Sequence, residues 1–145
     1  LASKKELLKK LPRESILTPH PKEFERLFGK AANDFERNGL QCSKAKDLGI
    51  FIILKGANTC TATPDGISYF NSTGNPGMGT AGSGDVLTGI LTGLIAQGYS
   101  SFEACLLGVY LHGLAGDLAA AEIGEQALIA GDIIDYLGRA YQELQ

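Results

Sequence analysis

Five consecutive apolar residues, Ile50-Phe51-Ile52-Ile53-Leu54, constrain the fold of this chain more than any other feature. A strand with one face in water alternates apolar and polar side chains, so an unbroken apolar run predicts a strand that is buried on both faces. Such strands are typical of parallel sheets that helices cover on both sides. The run therefore predicts an α/β layered fold.

Shorter patterns predict the other elements. Residues 15–18 predict a strand, and the segments 59–63 and 67–71 flank Pro64-Asp65-Gly66, which is typical of a β-hairpin. Strands and helices in this order fit an α/β layered fold. The predicted helices span residues 3–11, 21–28, 33–48 (with an interruption at Asn38-Gly39 left open), 85–98, 101–122 and 131–145, the last with Ile133, Ile134, Leu137 and Tyr141 facing inward. Helix 101–122 is small-residue-rich and apolar, so we expect it to pack between neighbours.

The composition argues against several classes of protein. A net charge of -3 does not fit a general nucleic-acid binder, and no uninterrupted apolar run approaches the roughly 18 residues that span a bilayer. Cys42, Cys60 and Cys105 are odd in number and lack CxxC spacing, which indicates a reducing cytoplasm and buried apolar roles rather than disulfides, zinc or thiol catalysis. The chain has no initiator Met, so we expect a fragment or a processed product.

A glycine-dense segment, residues 77–84, runs directly into an apolar helix. Helix N-termini have unpaired N–H groups and attract anions, and glycine lets the backbone approach a phosphate closely. Gly82, Ser83 and Gly84 are therefore predicted to form an anion hole, with Asp85 accepting the proton of a hydroxyl that attacks the phosphate. The alternative is that Asp85 only caps the helix and the glycines only form a tight turn.

The tetrapeptide Gly82-Ser83-Gly84-Asp85 resembles the Gly-x-Gly-Asp helix start of the ribokinase-like carbohydrate kinase superfamily. That resemblance implies a three-layer α/β/α sandwich with a mostly parallel sheet, of which this chain would form the C-terminal half. It also implies that the backbone N–H groups of residues 82–84 stabilise the transferred phosphoryl group and that Asp85 is the catalytic base.

Three further segments are similar to those of the ADP/ATP-dependent NAD(P)H-hydrate dehydratases within that superfamily. They match the family patterns TPHxxEF, KGAxT and NxTGNPGMxT at residues 18–24, 55–59 and 71–80. The resemblance implies that Lys55, Gly56, Ala57, Asn58, Thr59 and Gly84 bind the nucleotide, that His20 and Asp85 contact the substrate, and that Glu23 could organise a metal through water.

The family resemblance also implies the reaction and its participants. The substrate would be the S form of hydrated NADH or NADPH (NADHX or NADPHX), and ADP or ATP with Mg2+ would phosphorylate the leaving hydroxyl. We expect a homo-oligomer in the cytoplasm, with an NAD(P)H-hydrate epimerase that is fused or separate. We expect no nucleic-acid or membrane partner. Family members have a catalytic domain roughly twice this length, so the N-terminal portion would precede Leu1.

Several alternatives stay open. The chain could be a small-molecule kinase of the same superfamily, or a nucleotide-binding half-domain that acts only with a missing segment. His20 could simply cap a helix, Glu23 could only complement the helix dipole, and Lys55 could only be solvated. His112 and Asp117, which lie within an apolar helix, are expected to have satisfied packing roles. The sequence does not decide between ADP and ATP.

Overall fold

The computed structural model describes residues 5–145, so the first two residues of the predicted helix 3–11 lie outside the described part. The chain forms two compact units, which divide between Phe70 and Asn71. The first, the strand unit, contains every strand found in the described residues. The second, the helical unit, contains three long helices.

In the strand unit a single sheet has four strands in the order β1-β2-β3-β4. β1 and β2 are parallel, with Leu17 opposite Ile52, whereas the hairpin adds two antiparallel pairings. The prediction of a mostly parallel sheet is therefore correct within this unit only for β1 and β2. The elements are a 3-10 helix (Lys5–Lys10), β1 (Ile16–Leu17), α1 (Pro21–Phe28), α2 (Asp34–Leu48), β2 (Phe51–Leu54), β3 (Cys60–Ala62) and β4 (Ser68–Phe70).

The core of the strand unit contains residues of α1, α2 and the sheet. Its fully buried members are Phe24, Ala45, Ile50, Ile52 and Ala62. Because side chains alternate along a strand, Phe51 and Ile53 face the side of β2 opposite to Ile52, and both are buried as well. The prediction that this strand is buried on both faces is confirmed.

Helix α2 continues through Asn38-Gly39, where the sequence left an interruption open. The Asn38 side chain does not compete with the helix backbone, because its amide nitrogen donates to the Cys60 sulfur at 3.3 Å and its oxygen accepts from the Ser68 hydroxyl at 3.4 Å. These bonds join α2 to the hairpin. The interruption is therefore absent because tertiary contacts satisfy the polar side chain.

Gln41, on the same helix, joins α2 to the sheet through a buried side chain. It is fully buried, and its amide nitrogen donates to the carbonyl oxygens of Ile52 and Cys60, both at 2.8 Å. Within the described range its Oε1 has no partner, which offsets part of what the two bonds contribute. We expect Gln41→Leu to lower the free energy of unfolding by about 2 kcal/mol, measured by urea denaturation.

Gln97→Leu is the matched control for Gln41→Leu. Gln97 is exposed, and its amide nitrogen donates to the Gly93 carbonyl oxygen at 3.1 Å. Because water can replace that bond, its loss should change stability by less than about 0.5 kcal/mol. Equal effects of the two substitutions would show that the buried amide does not join α2 to the sheet.

The helical unit consists of a short 3-10 turn and three helices: Pro76–Met78, α3 (Ser83–Ala96), α4 (Ser101–Ile123) and α5 (Ala130–Gln142). Helix α4 packs against both α3 and α5, as its composition predicted. The inward face of α5 was predicted only in part, because Ile133 is buried whereas Ile134 and Tyr141 are 55% and 40% exposed. The buried stripe of α5 follows Ile133 and Ala140, and Ile134 and Tyr141 each lie about 100° around the helix from it.

Helix α4 is also long and apolar enough, by length and composition, to cross a membrane. Its most apolar window has a mean hydropathy of 1.4, and half of that window is buried inside the protein. The sequence analysis counted only uninterrupted apolar residues and so did not identify this helix. The core helix of a globular protein passes the same test, and the contacts of α4 with α3 and α5 fit that explanation.

Candidate functional site

The predicted site residues of the strand unit meet at one edge of its sheet. Because β1 and β2 are parallel, His20 and Lys55 both follow the carboxyl ends of their strands. The Lys55 N–H donates to the Pro19 carbonyl oxygen at 3.0 Å, which joins the two segments. Ligands of open α/β sheets bind outside the carboxyl ends of the strands, so this edge is a candidate binding edge.

A turn follows Lys55 at this edge. The Thr59 hydroxyl accepts from the Gly56 N–H at 3.4 Å and donates to the Gly56 carbonyl oxygen at 3.2 Å. Gly56, Ala57 and Asn58 are exposed, whereas Lys55 and Thr59 are half-buried. The threonine therefore closes a turn whose exposed backbone is available to a ligand.

His20 and Glu23 form a reciprocal cap at the start of α1. The His20 Nδ1 accepts from the Glu23 N–H at 3.3 Å, and the Glu23 carboxylate accepts from the His20 N–H at 2.9 Å. A nitrogen that accepts carries no proton, so the ring proton of His20 lies on Nε2, which is 3.5 Å from the Glu23 Oε1. This geometry favours the capping alternative for both residues. Contact of His20 with a substrate, and of Glu23 with a metal through water, stay predictions.

In the helical unit, residues 82–85 form the start of α3. Gly82 is the N-cap, with φ 88° in the left-handed region that favours glycine, and a Cβ there would lie 3.1 Å from the Ala130 Cβ. Its carbonyl oxygen accepts from the N–H groups of Asp85 and Val86, both at 3.0 Å. In the part of the chain that the structure describes, the N–H groups of Gly82 and Gly84 have no acceptor. These free donors fit the predicted anion hole.

Asp85 differs from a helix-capping aspartate. It is exposed, and among residues 5–145 its carboxylate has no hydrogen-bond partner. Asp132 occupies the same position, third in its helix, at the start of α5, and its carboxylate accepts from the Ile129 N–H at 2.8 Å. The alternative that Asp85 only caps its helix is therefore disfavoured, because the cap bond is missing.

His112 has a role that the sequence did not reveal. Its Nε2 lies 2.9 Å from the Ser83 carbonyl oxygen and 3.3 Å from the Ser83 hydroxyl. A carbonyl oxygen can only accept, so Nε2 carries the proton and donates to it. Ser83 is buried, and its N–H donates to the Thr80 carbonyl oxygen at a long 3.4 Å. His112, on α4, therefore fixes the first residue of α3. The expected satisfied role of His112 is observed, and the residue that it contacts belongs to the predicted anion hole.

The described cysteines are free thiols, and the best-buried two are poor nucleophiles. Burial raises the pKa of Cys60 to about 11, with a smaller contribution from Cys42, and burial raises the pKa of Cys105 to about 12. Thiolate is the reactive form, and these pKa values leave little of it near neutral pH. The expectation of buried apolar roles therefore fits Cys60 and Cys105.

A resident metal centre is not built from the side chains described. Between residue 5 and residue 145, no group of three or more His, Cys, Asp or Glu residues is arranged to hold a metal ion. Mg2+, which the family resemblance implies, is commonly held by nucleotide phosphates and water together with one or two carboxylates.

The fold and the glycine helix start define the chain as a ribokinase-like protein. A ribokinase-like superfamily protein from Enterococcus faecalis is 29% identical with a TM-score of 0.74, over 97% of this chain and 50% of that protein. Within this class, the chain belongs to the NAD(P)H-hydrate dehydratase family, whose model matches residues 1–139. The resemblance found in the sequence is thereby confirmed.

Individual relatives agree with this assignment. The bifunctional NAD(P)H-hydrate repair enzyme of Moorella thermoacetica is 48% identical over 90% of this chain and 25% of its own length. The ADP-dependent (S)-NAD(P)H-hydrate dehydratase of Neisseria meningitidis is 45% identical over 81% of this chain and 41% of its own. A crystal structure of the ADP/ATP-dependent enzyme of Bacillus subtilis, co-crystallised with ATP/Mg2+, is 35% identical with a TM-score of 0.86, over 93% of this chain and 50% of that one. The chain thus spans a quarter to a half of these relatives.

Proposed function

We propose that this chain carries the nucleotide-binding, phosphoryl-transferring part of an ADP- or ATP-dependent (S)-NAD(P)H-hydrate dehydratase. One observation carries the proposal. The start of α3 presents two glycine N–H groups without acceptors and, in the same turn, a carboxylate without a partner within the described residues. The substrate follows from the relatives, which are NAD(P)H-hydrate dehydratases that depend on ADP or on ADP/ATP.

The N–H groups of Gly82 and Gly84 would bind the terminal phosphate of the nucleotide. The Ser83 N–H, which the resemblance also assigns to the anion hole, donates to the Thr80 carbonyl oxygen at a long 3.4 Å and would have to release it to join them. The positive end of the α3 dipole adds to their attraction. A donor that is aimed at the developing phosphoryl charge contributes about 3 kcal/mol at the transition state. The exposed turn at residues 55–59 would contact the nucleotide, as the KGAxT resemblance implies, and His20 would contact the substrate.

Asp85 would then remove the proton from the hydroxyl of the hydrated nicotinamide ring. The hydroxyl oxygen bonds to the terminal phosphorus as the bond from phosphorus to the nucleotide breaks, so ADP would leave AMP and ATP would leave ADP. Hydroxide is a poor leaving group, but phosphate is a good one. The lone pair of the ring nitrogen expels phosphate, and loss of a proton from the adjacent ring carbon restores the double bond.

Mg2+ accompanies ATP in the crystals of the Bacillus subtilis enzyme. Since the described side chains assemble no metal cluster, we expect the ion to arrive bound to the nucleotide phosphates, with water-mediated help from Glu23 as the alternative. A bound Mg2+ neutralises phosphate charge during transfer.

The test is an assay of the chain with hydrated NADH and either nucleotide. We expect the absorbance of reduced nicotinamide to rise together with AMP from ADP, or ADP from ATP, and the faster donor to identify the physiological one. A stable phosphorylated substrate without restored NADH would instead indicate a small-molecule kinase. Nucleotide binding without turnover would indicate a half-domain that needs a further segment.

The resemblance also implies an assembly, a location and a partner enzyme. We expect a homo-oligomer, a cytoplasmic location, and an epimerase that is fused or separate. Size-exclusion chromatography with light scattering would measure the oligomeric state directly.

A further inference from the structure

The loop that precedes the anion hole is held on α4 by one carboxylate. We name residues 71–80 the approach loop. The two oxygens of Asp117 accept from the Gly74 N–H at 2.8 Å and from the Asn75 side-chain nitrogen at 2.9 Å. The Asn75 oxygen in turn accepts from the Gly77 N–H at 3.1 Å. A single side chain on α4 therefore orients both Gly74 and Asn75.

The asparagine between Asp117 and Gly77 can serve only in one orientation. Its nitrogen must face the carboxylate, and its oxygen must face the Gly77 N–H inside the 3-10 turn Pro76–Met78, of which Asn75 is the N-cap. Rotating the amide by 180° would place a donor against the Gly77 N–H. Asp117 thus sets the orientation of the residue that starts this turn.

Close packing reinforces these bonds. A Cβ on Gly113 of α4 would lie 2.7 Å from the Thr73 carbonyl carbon, and a Cβ on Gly116 would clash with the Met78 sulfur and lie 2.8 Å from the Met78 Cγ and Cε. The Thr73 hydroxyl also donates to the Tyr110 carbonyl oxygen at 2.9 Å. The small residues of α4 therefore let the approach loop lie directly against the helix, and Asp117 lies beside that contact.

The approach loop ends at the anion hole. The carbonyl oxygen of Thr80, its last residue, accepts from the Ser83 N–H at the start of α3. Movement of the loop would therefore change the direction in which the chain enters residues 82–85. His112, about one and a half helical turns before Asp117 on α4, fixes Ser83 directly. Asp117 and His112 therefore connect α4 to the approach loop and to the first residue of α3.

We propose that Asp117 is a positioning residue of the phosphate site. By holding Gly74 and Asn75 it fixes the approach loop on α4 and so keeps the free N–H groups of Gly82 and Gly84 in their binding geometry. Asp117 itself contacts neither substrate nor nucleotide in this role. The inference rests on the proposed function, because it requires that residues 82–84 bind the nucleotide and that Asp117 raises the affinity of this binding.

A charge-conserving exchange tests the inference. Asp117→Asn places a donor against the Asn75 side-chain nitrogen. Asn75→Asp places a second carboxylate against Asp117. Each single variant therefore breaks the hydrogen bond between side chains 75 and 117. We expect each to weaken ADP binding about tenfold, measured by calorimetry. In the double variant the amide nitrogen at position 117 can donate to the carboxylate at position 75, which restores that bond with its direction reversed. The Gly74 and Gly77 N–H groups still donate to the side-chain oxygens at positions 117 and 75. The ADP affinity of the double variant should return to within about threefold of the unaltered chain.

Glu103→Gln is the matched control, because Glu103 is another carboxylate of α4 that accepts from a backbone N–H, that of Ser100 at 2.9 Å. It should leave ADP affinity unchanged. Single variants that unfold at a lower temperature but bind ADP normally would overturn the inference, as would a double variant that does not regain affinity. Asn75→Asp gives the answer if Asp117→Asn does not fold. An unaltered chain that binds no ADP would overturn the proposed function, and the inference with it.

Discussion

Replacing Asp85 with asparagine should lower the turnover of hydrated NADH by about 10²- to 10⁴-fold, the range that a positioned general base contributes. Asparagine has nearly the same size but cannot accept the proton of the attacking hydroxyl. The N–H groups of Gly82 and Gly84 are backbone groups and remain in place, so ADP should bind as before. Any change in ADP affinity should be an increase, because the substitution removes a negative charge beside the phosphate. Steady-state kinetics and calorimetry on the same preparation measure both quantities.

Asp132→Asn is the control for this substitution. Asp132 has the same position in α5 that Asp85 has in α3, but its carboxylate accepts from the Ile129 N–H. Loss of this hydrogen bond should therefore leave turnover unchanged and lower the free energy of unfolding by about 1 kcal/mol. Unaltered turnover in Asp85→Asn would remove Asp85 from the mechanism. Loss of ADP binding in that variant would assign Asp85 to the structure of the helix start instead.

Local features of the site could be predicted from the sequence because they depend on near neighbours. A left-handed N-cap favours glycine, and Gly82 has that conformation. The cap between His20 and Glu23 depends on a spacing of three residues, which the sequence displays. The glycine helix start and the hairpin turn have the same local origin. Such features recur in the structure close to where the sequence predicts them.

Contacts across long sequence separations could not be predicted in this way. His112 contacts Ser83 from 29 residues away, and Asp117 contacts Gly74 from 43 residues away. In the sequence each is a single polar residue in an apolar helix, a pattern that equally fits a satisfied core residue. Long-range packing also explains why Ile134 and Tyr141 are exposed. The apolar periodicity of the sequence predicts which side of α5 is apolar, but the neighbouring helices determine how much of that side is covered.

Substituting Gly113 with alanine should lower the free energy of unfolding by about 3 kcal/mol, at the upper end of overpacking costs. The new Cβ would lie 2.7 and 2.8 Å from the carbonyl carbon and oxygen of Thr73, and backbone cannot move aside as a flexible side chain can. Gly116→Ala should cost less, because the three atoms nearest to its new Cβ all belong to the flexible Met78 side chain. Gly89→Ala meets nothing within 4 Å and should stabilise the chain by about 0.5–1 kcal/mol through helix propensity. Urea denaturation ranks the three variants, and a neutral Gly113→Ala would show that the approach loop does not lie against α4.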